Sequence, residues 1–308
     1  MALTLKWMQA HAPYMPIATA GLLALLEGAG EEAAARWEVD RAGRAALQIE
    51  TNLDADGVAA VIADAPWPDE SRVDWPGGSR NGAQALKPLL KATGQPLQTF
   101  RDMVAAAPEL EAATLRAIVT DGVLDSEGLP ARSRLLRGVK SDLTSAFKPP
   151  RRFAGDEFAA ELRDGLTFRT DAKGLGLGLV PEVQTFGGTT GPDPASIDAY
   201  SPLLHALIWN GIVALPPVPV MRGRTRMVGG PLASGSDVLS WPRWRVAVGL
   251  SGLRTLFSLA EVHADEPDLT HLSRRGIDRV YRARAIPLNN MIAVYRWGEE
   301  IAAGAGRR

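Results

Sequence analysis

A chain of 308 residues with 46% hydrophobic and 22% charged side chains has the composition of a folded globular protein and can bury roughly three quarters of its unfolded surface. It has no cysteine, which excludes disulfides, thiolate metal sites and a cysteine nucleophile and fits a reducing, cytoplasmic setting. The net charge of −1 hides an asymmetry: residues 201–308 hold 14 basic and 8 acidic side chains, and all 14 are arginine.

No apolar run approaches the roughly 18 residues that would span a bilayer, and the first residues lack the basic, apolar and cleavage regions of a secretion signal. In chain order, residues 3–7 alternate as a short strand, and 16–27 (PIATAGLLALLE) read as an apolar helix stopped by Gly28 and Gly30. Residues 35–40 and 45–50 read as two strands joined around Gly43. Asp54 or Asp56 then caps a helix running through Ala63 to the breakers Pro66 and Pro68. The order strand, helix, two strands, helix predicts a small α/β sandwich and not a parallel nucleotide-binding unit.

The loop 74–82 (DWPGGSRNG) offers glycine backbone amides together with Ser79, Arg80 and Asn81 as donors for an anion. It also reads as a plain surface turn. Residues 97–120 read as helix interrupted near Pro108. In 131–142 (ARSRLLRGVKSD), Arg132, Arg134, Arg137 and Lys140 form a basic run, either a solvated face or a set of phosphate contacts. The stiff KPPRR at 148–152 suggests a junction, dividing the chain into a domain of residues 1–150 with a helical middle and a basic domain of residues 151–308. Together these elements predict an α+β fold. In the second half, the sandwich and helices give way to a mixed region carrying a basic β-ribbon.

Glycine dominates residues 165–194. Gly174, Gly176 and Gly178 run into Val180 and Pro181 and open no helix, so the phosphate-holding N-terminus of a dinucleotide fingerprint is missing, and a glycine-interrupted strand is expected instead. Residues 198–214 read as an apolar helix with His205 and Trp209. Helices over 251–261 and ending near Gly276 follow, then an arginine-studded strand over 280–286.

The most unusual chemistry lies in residues 221–254, MRGRTRMVGGPLASGSDVLSWPRWRVAVGLSGLR. Arg222, Arg224 and Arg226 recur at every second residue, and after a glycine-rich break Trp241, Arg243 and Arg245 alternate with Trp244, Val246 and Val248. In an extended chain that period places guanidinium groups on one face and apolar groups on the other. Guanidinium suits phosphate, and indole stacks on unpaired bases, so the ribbon is suited to a polyanion. An ordinary solvated hairpin has the same alternation. Catalytic patterns are not found: no GxSxG, no HExxH and no phosphate loop ending in lysine and a hydroxyl residue. His263, Asp265 and His271 make one loose metal-type cluster whose spacing fits no zinc pattern.

The order ALIWNGIVALPPVP (206–219), LSWPRWRVAVGLSGLRTLF (239–257), a charged loop and GIDRVYRARAIP (276–287) resembles the small large-subunit-like proteins of type I CRISPR systems of the I-G (formerly I-U) kind. The N-terminal AGLLALLEGAG and ARWEVD look similar too, while residues 66–180 carry no resemblance. What this implies is a non-catalytic subunit, without cofactor or metal, of a multisubunit RNA-guided complex in the cytoplasm. Its partners would be CRISPR RNA or target DNA and other CRISPR-associated subunits. On this reading Arg222, Arg224, Arg226, Arg243, Arg245, Arg80 and Lys140 are the nucleic-acid contacts. Two alternatives stand beside it. One is a protein-interaction subunit anchored by Trp241, Trp244 and Trp297, and the other an enzyme built on the glycine-rich segment.

Overall fold

Two helices that water scarcely reaches form the centre of the computed structural model, which describes residues 2–68, 72, 96–124, 128–132, 155–166, 201–215, 218–220, 224–227, 230–231, 238–287, 293–295 and 298–301. The first, α1 (Met15–Gly28), is buried from Met15 to Leu23 and again at Leu25 and Leu26. Its sequence is apolar on every side, which is the pattern of a helix enclosed by the core and not of one floating on it. Pro16 sits in the first turn, where its missing N–H is not needed. The far end closes through Gly30 at φ 82°, with the Glu31 amide donating to the Leu26 carbonyl and that of Gly30 to Glu27.

Against α1 lies a helix from the other end of the chain (Pro202–Ala214), nearly as deeply buried. Ser201 caps it, accepting from the Leu204 amide at 3.1 Å and donating to the buried Glu161 carboxylate at 2.7 Å. A carboxylate is favourable there because the first-turn amides and the helix dipole present positive charge. The two helices approach so closely that a β-carbon on Gly21 or Gly211 would overlap the partner helix's backbone.

Three antiparallel strands, β1 (Ala2–Leu5), β2 (Ala34–Val39) and β3 (Ala45–Glu50), form a sheet in the order β1-β3-β2. Period two puts Leu5, Ala35, Trp37, Leu47 and Ile49 in the core. Arg36 lies on the other face, where it donates to Gln48 at 2.7 Å and pairs with Glu50. Gly43 at φ 81° makes the β2–β3 turn, and Asp40 accepts from the Ala42 and Arg44 amides across it. Helix α2 (Ala55–Ala63) begins at Asp54, whose carboxylate accepts from the Gly57 amide.

The middle holds α3 (Leu97–Ala106) and α4 (Glu109–Ile118), separated at Pro108 as the sequence predicts. The helical reading to residue 120 runs too far. The chain turns to strand at Val119, where β-branched residues begin, and β4 (Val119–Leu124) pairs with β5 (Pro130–Arg132). Helix α5 (Gly155–Asp164) packs on α2, with Arg163 reaching Asp56. The central C-terminal helix is therefore α6, and β6 (Val218–Val220), β7 (Arg224–Met227) and β8 (Gly230–Pro231) follow as a small meander.

A second sheet is built around β10 (Ile277–Pro287). It is flanked by β9 (Val238–Trp244) on one side and by β11 (Ala293–Tyr295) and β12 (Glu299–Glu300) on the other. Between β9 and β10 run α7 (Leu250–Ser258), a 3-10 turn (Ala260–His263) and α8 (Leu269–Ser273). The expected helix over 251–261 thus ends earlier, at Ser258.

Among the described residues the fold is mixed α+β, with eight α-helices and antiparallel sheets. The expected junction at 148–152 lies outside the described residues, as does nearly all of the glycine-rich stretch. The described parts on either side of the junction share one core. Ala35 and Val248 exchange backbone hydrogen bonds at 2.9 and 3.0 Å, the Trp244 indole donates to the Ala35 carbonyl, and the Gly298 amide donates to that of His11. The division into residues 1–150 and 151–308 is therefore not a division of the hydrophobic interior.

Candidate nucleic-acid interface

The period-two reading of residues 241–248 requires a strand with one wet face, and β9 has none: Leu239 to Trp244 are all buried. Trp241 donates its indole N–H to the Ala10 carbonyl at 2.8 Å and lies 6.0 Å from the Tyr281 ring. Trp244 turns the opposite way and meets Trp37 edge-on at 5.9 Å. Both indoles are core anchors, so neither is available to stack on a base or a partner. Trp297 lies outside the described residues.

Arg243 corrects the expected basic face. It is 8% exposed, and its Nε and Nη2 donate to the two carboxylate oxygens of Asp278 at 2.8 and 2.7 Å, while Nη1 donates to the Tyr281 hydroxyl at 3.3 Å. The cause is a register shift in β10 between Ile277 and Arg279, which inserts Asp278 as an extra residue opposite β9. The bulge delivers a carboxylate to the side of the ribbon where Arg243 lies, and a bidentate pair follows. Burial raises the Tyr281 phenol above its ordinary range, so it stays a neutral hydroxyl beside the guanidinium.

Other arginines of β10 are also committed. Arg282 donates to the Ala264 carbonyl at 2.6 Å and to Ser240 Oγ at 3.1 Å, tying the end of the 3-10 turn to the ribbon, and Arg279 pairs with Glu300.

The exposed basic surface begins where the strand ends. Arg245 is exposed, and its backbone amide donates to the Gly276 carbonyl at 2.8 Å. That bond holds it beside the turn carrying Arg274 and Arg275, both exposed. Gly276 adopts φ 78°, and the side chain of Val246, 53% exposed, lies directly over it. Arg245 and the adjacent pair Arg274 and Arg275, about 30 positions further on, are thus brought to the same end of the β9–β10 pair, next to the exposed Val246. Glu261 lies loosely against Arg275, at 3.9 Å, and 3.5 Å from His271. Arg274 and Arg275 are absent from the expected set, although Arg-Arg-Gly marks a turn that would carry two cations into solvent.

Of the remaining expected contacts, Arg224 and Arg226 lie on β7, paired in register with Val220 and Val218. Arg222, Arg80 and Lys140 lie outside the described residues. His263 and His271 are engaged separately, His263 Nε2 with the Phe257 carbonyl at 2.7 Å and His271 with Glu261. Among the described residues no three histidines or carboxylates stand close enough to hold a metal ion, and no helix is long and apolar enough to cross a membrane. No family model, curated protein or solved structure matches the chain.

Proposed function

We propose that the chain is a non-catalytic subunit of a type I CRISPR RNA-guided surveillance complex in the cytoplasm, contacting the backbone of guide RNA or target DNA. The observation that carries this reading is the exposed trio Arg245, Arg274 and Arg275. It sits on a strand end whose base is locked in the core by two tryptophans and the Arg243–Asp278 pair. A cation on so rigid a base loses little freedom when it meets a phosphate, and arginine's fork suits that partner. In such assemblies base pairing reads sequence while protein subunits grip the backbone.

The test is the salt dependence of binding to single-stranded RNA and duplex DNA, with the partner subunits present. Each phosphate contact contributes about 0.7 to 0.9 to the slope of log affinity against log salt. Replacing Arg245, Arg274 and Arg275 with alanine flattens the slope by about two units when all three make contact. An unchanged slope and affinity overturns the reading. The exposed Val246 favours a second reading, a protein-docking subunit, since an exposed aliphatic group beside a basic turn is also interface chemistry. Loss of co-purification with partner subunits at an unchanged salt slope selects it.

A further inference from the structure

Away from the β9–β10 end, the middle of the chain contains a cavity of about 170 Å³ bounded by Phe100, Arg101, Val104, Ala105, Arg116 and Asp121. Three elements contribute: α3 gives the apolar wall and Arg101, the last turn of α4 gives Arg116, and the first residues of β4 give Asp121. Phe100 and Val104 are buried beneath it, whereas Ala105, Arg101 and Arg116 lie at the surface. Arg101 uses Nε to hold Asp121 at 3.0 Å, which fixes its plane and leaves the two Nη groups for another acceptor. Arg116 has no carboxylate partner among the described residues. Two guanidinium groups and one carboxylate leave the rim with a net positive charge over an apolar floor.

Size narrows the occupant. A space of about 150 Å³ accepts one benzene ring, so this pocket of about 170 Å³, partly open to solvent, has room for a single six-membered ring. We propose that the cavity binds a planar six-membered ring bearing a phosphate. The ring would lie on Phe100, Val104 and Ala105, and the anion would meet Arg116 and the free nitrogens of Arg101. Two sources share this chemistry, a free single-ring phosphate and a pyrimidine nucleotide. The proposal does not depend on the Arg245 surface.

Titration of the full chain, followed by calorimetry or by ligand-detected NMR, tests it with three probes: phenyl phosphate, inorganic phosphate and uridine 5′-monophosphate. Phenyl phosphate is expected to bind at least about fivefold more tightly than inorganic phosphate, because only it covers the apolar floor. Arg116→Gln weakens it by about tenfold through loss of a charged donor. Ala105→Phe, at an exposed helix position that leaves folding unaffected, fills the space and abolishes binding. Uridine 5′-monophosphate competing with phenyl phosphate assigns the site to pyrimidine nucleotides, while phenyl phosphate binding without that competition assigns it to a free small-ring anion. Equal affinity for phenyl and inorganic phosphate, no binding of either, or indifference to Ala105→Phe overturns the proposal.

Discussion

Gly21 of α1 and Gly211 of α6 face each other at the centre of the molecule, each occupying a place where the other helix's backbone leaves no room for a β-carbon. A methyl group at Gly21 would meet the Leu207 carbonyl, and one at Gly211 the Ile17 carbonyl. These are backbone atoms that cannot swing aside as a side-chain tip can. Gly21→Ala and Gly211→Ala are therefore expected to destabilise the fold by about 2 kcal/mol or more. Gly28→Ala, at the end of the same helix with nothing within 4 Å, is expected to be neutral or to stabilise by up to about 1 kcal/mol. Urea midpoints for the three variants check the contrast, and equal shifts at Gly21 and Gly28 would refute the close approach.

Arg243 and Asp278 form an inward ion pair, whereas Arg245, two residues on, faces water. Removing one partner of such a pair leaves the other charge without compensation. Arg243→Ala is expected to cost about 2 to 4 kcal/mol, and a double-mutant cycle with Asp278→Ala should show coupling above about 1 kcal/mol. Arg245→Ala is expected to change stability by no more than about 0.5 kcal/mol. Chemical denaturation separates the two arginines, because only the first is held in the core.

Burial lowers the pKa of His11 below its ordinary 6.5. The folded chain then binds this proton less readily than the unfolded chain. The stability linked to His11 is thus complete above the unfolded value and is lost as pH falls through the folded one. The urea midpoint should decline between pH 7.5 and pH 5, and His11→Gln should make that decline shallower. A variant whose pH profile parallels the parent would remove His11 from the account.

The indole N–H groups of Trp241 and Trp244 satisfy the carbonyls of Ala10 and Ala35. Trp241→Phe and Trp244→Phe keep an aromatic ring and lose that donor, so each is expected to destabilise by about 1 to 3 kcal/mol. Under the proposed function, nucleic-acid affinity per folded molecule should stay unchanged. A drop in affinity at full folding, read by titration alongside circular dichroism, would return these indoles to the interface.

What was legible in the sequence was local. An all-apolar run announces α1 and α6, alternation around Gly43 announces β2 and β3, and Asp54 announces α2, because each signal lies within one turn or one strand of its effect. The basic surface was less legible. Period two tells which side chains share a face but not whether that face is covered, and the partner that draws Arg243 inward stands 35 residues away across a bulge. Arg274 and Arg275 join Arg245 only through the backbone bond at Gly276, a pairing no short window contains. The core shared by the described residues of both halves escaped for the same reason. The residues that stitch Ala35 to Val248 look like ordinary strand residues until the sheets are docked.

The central contact between α1 and α6 joins segments nearly 190 positions apart. At a translation rate of roughly 5 to 20 residues per second, α1 emerges from the ribosome about ten to forty seconds before its partner is made. Throughout that interval the face of α1 that meets α6 lacks its partner. A chain that ends before residue 200 therefore lacks the helix that packs on α1. The core that gives Arg245 its rigid base therefore draws on residues made early and on residues made after position 200.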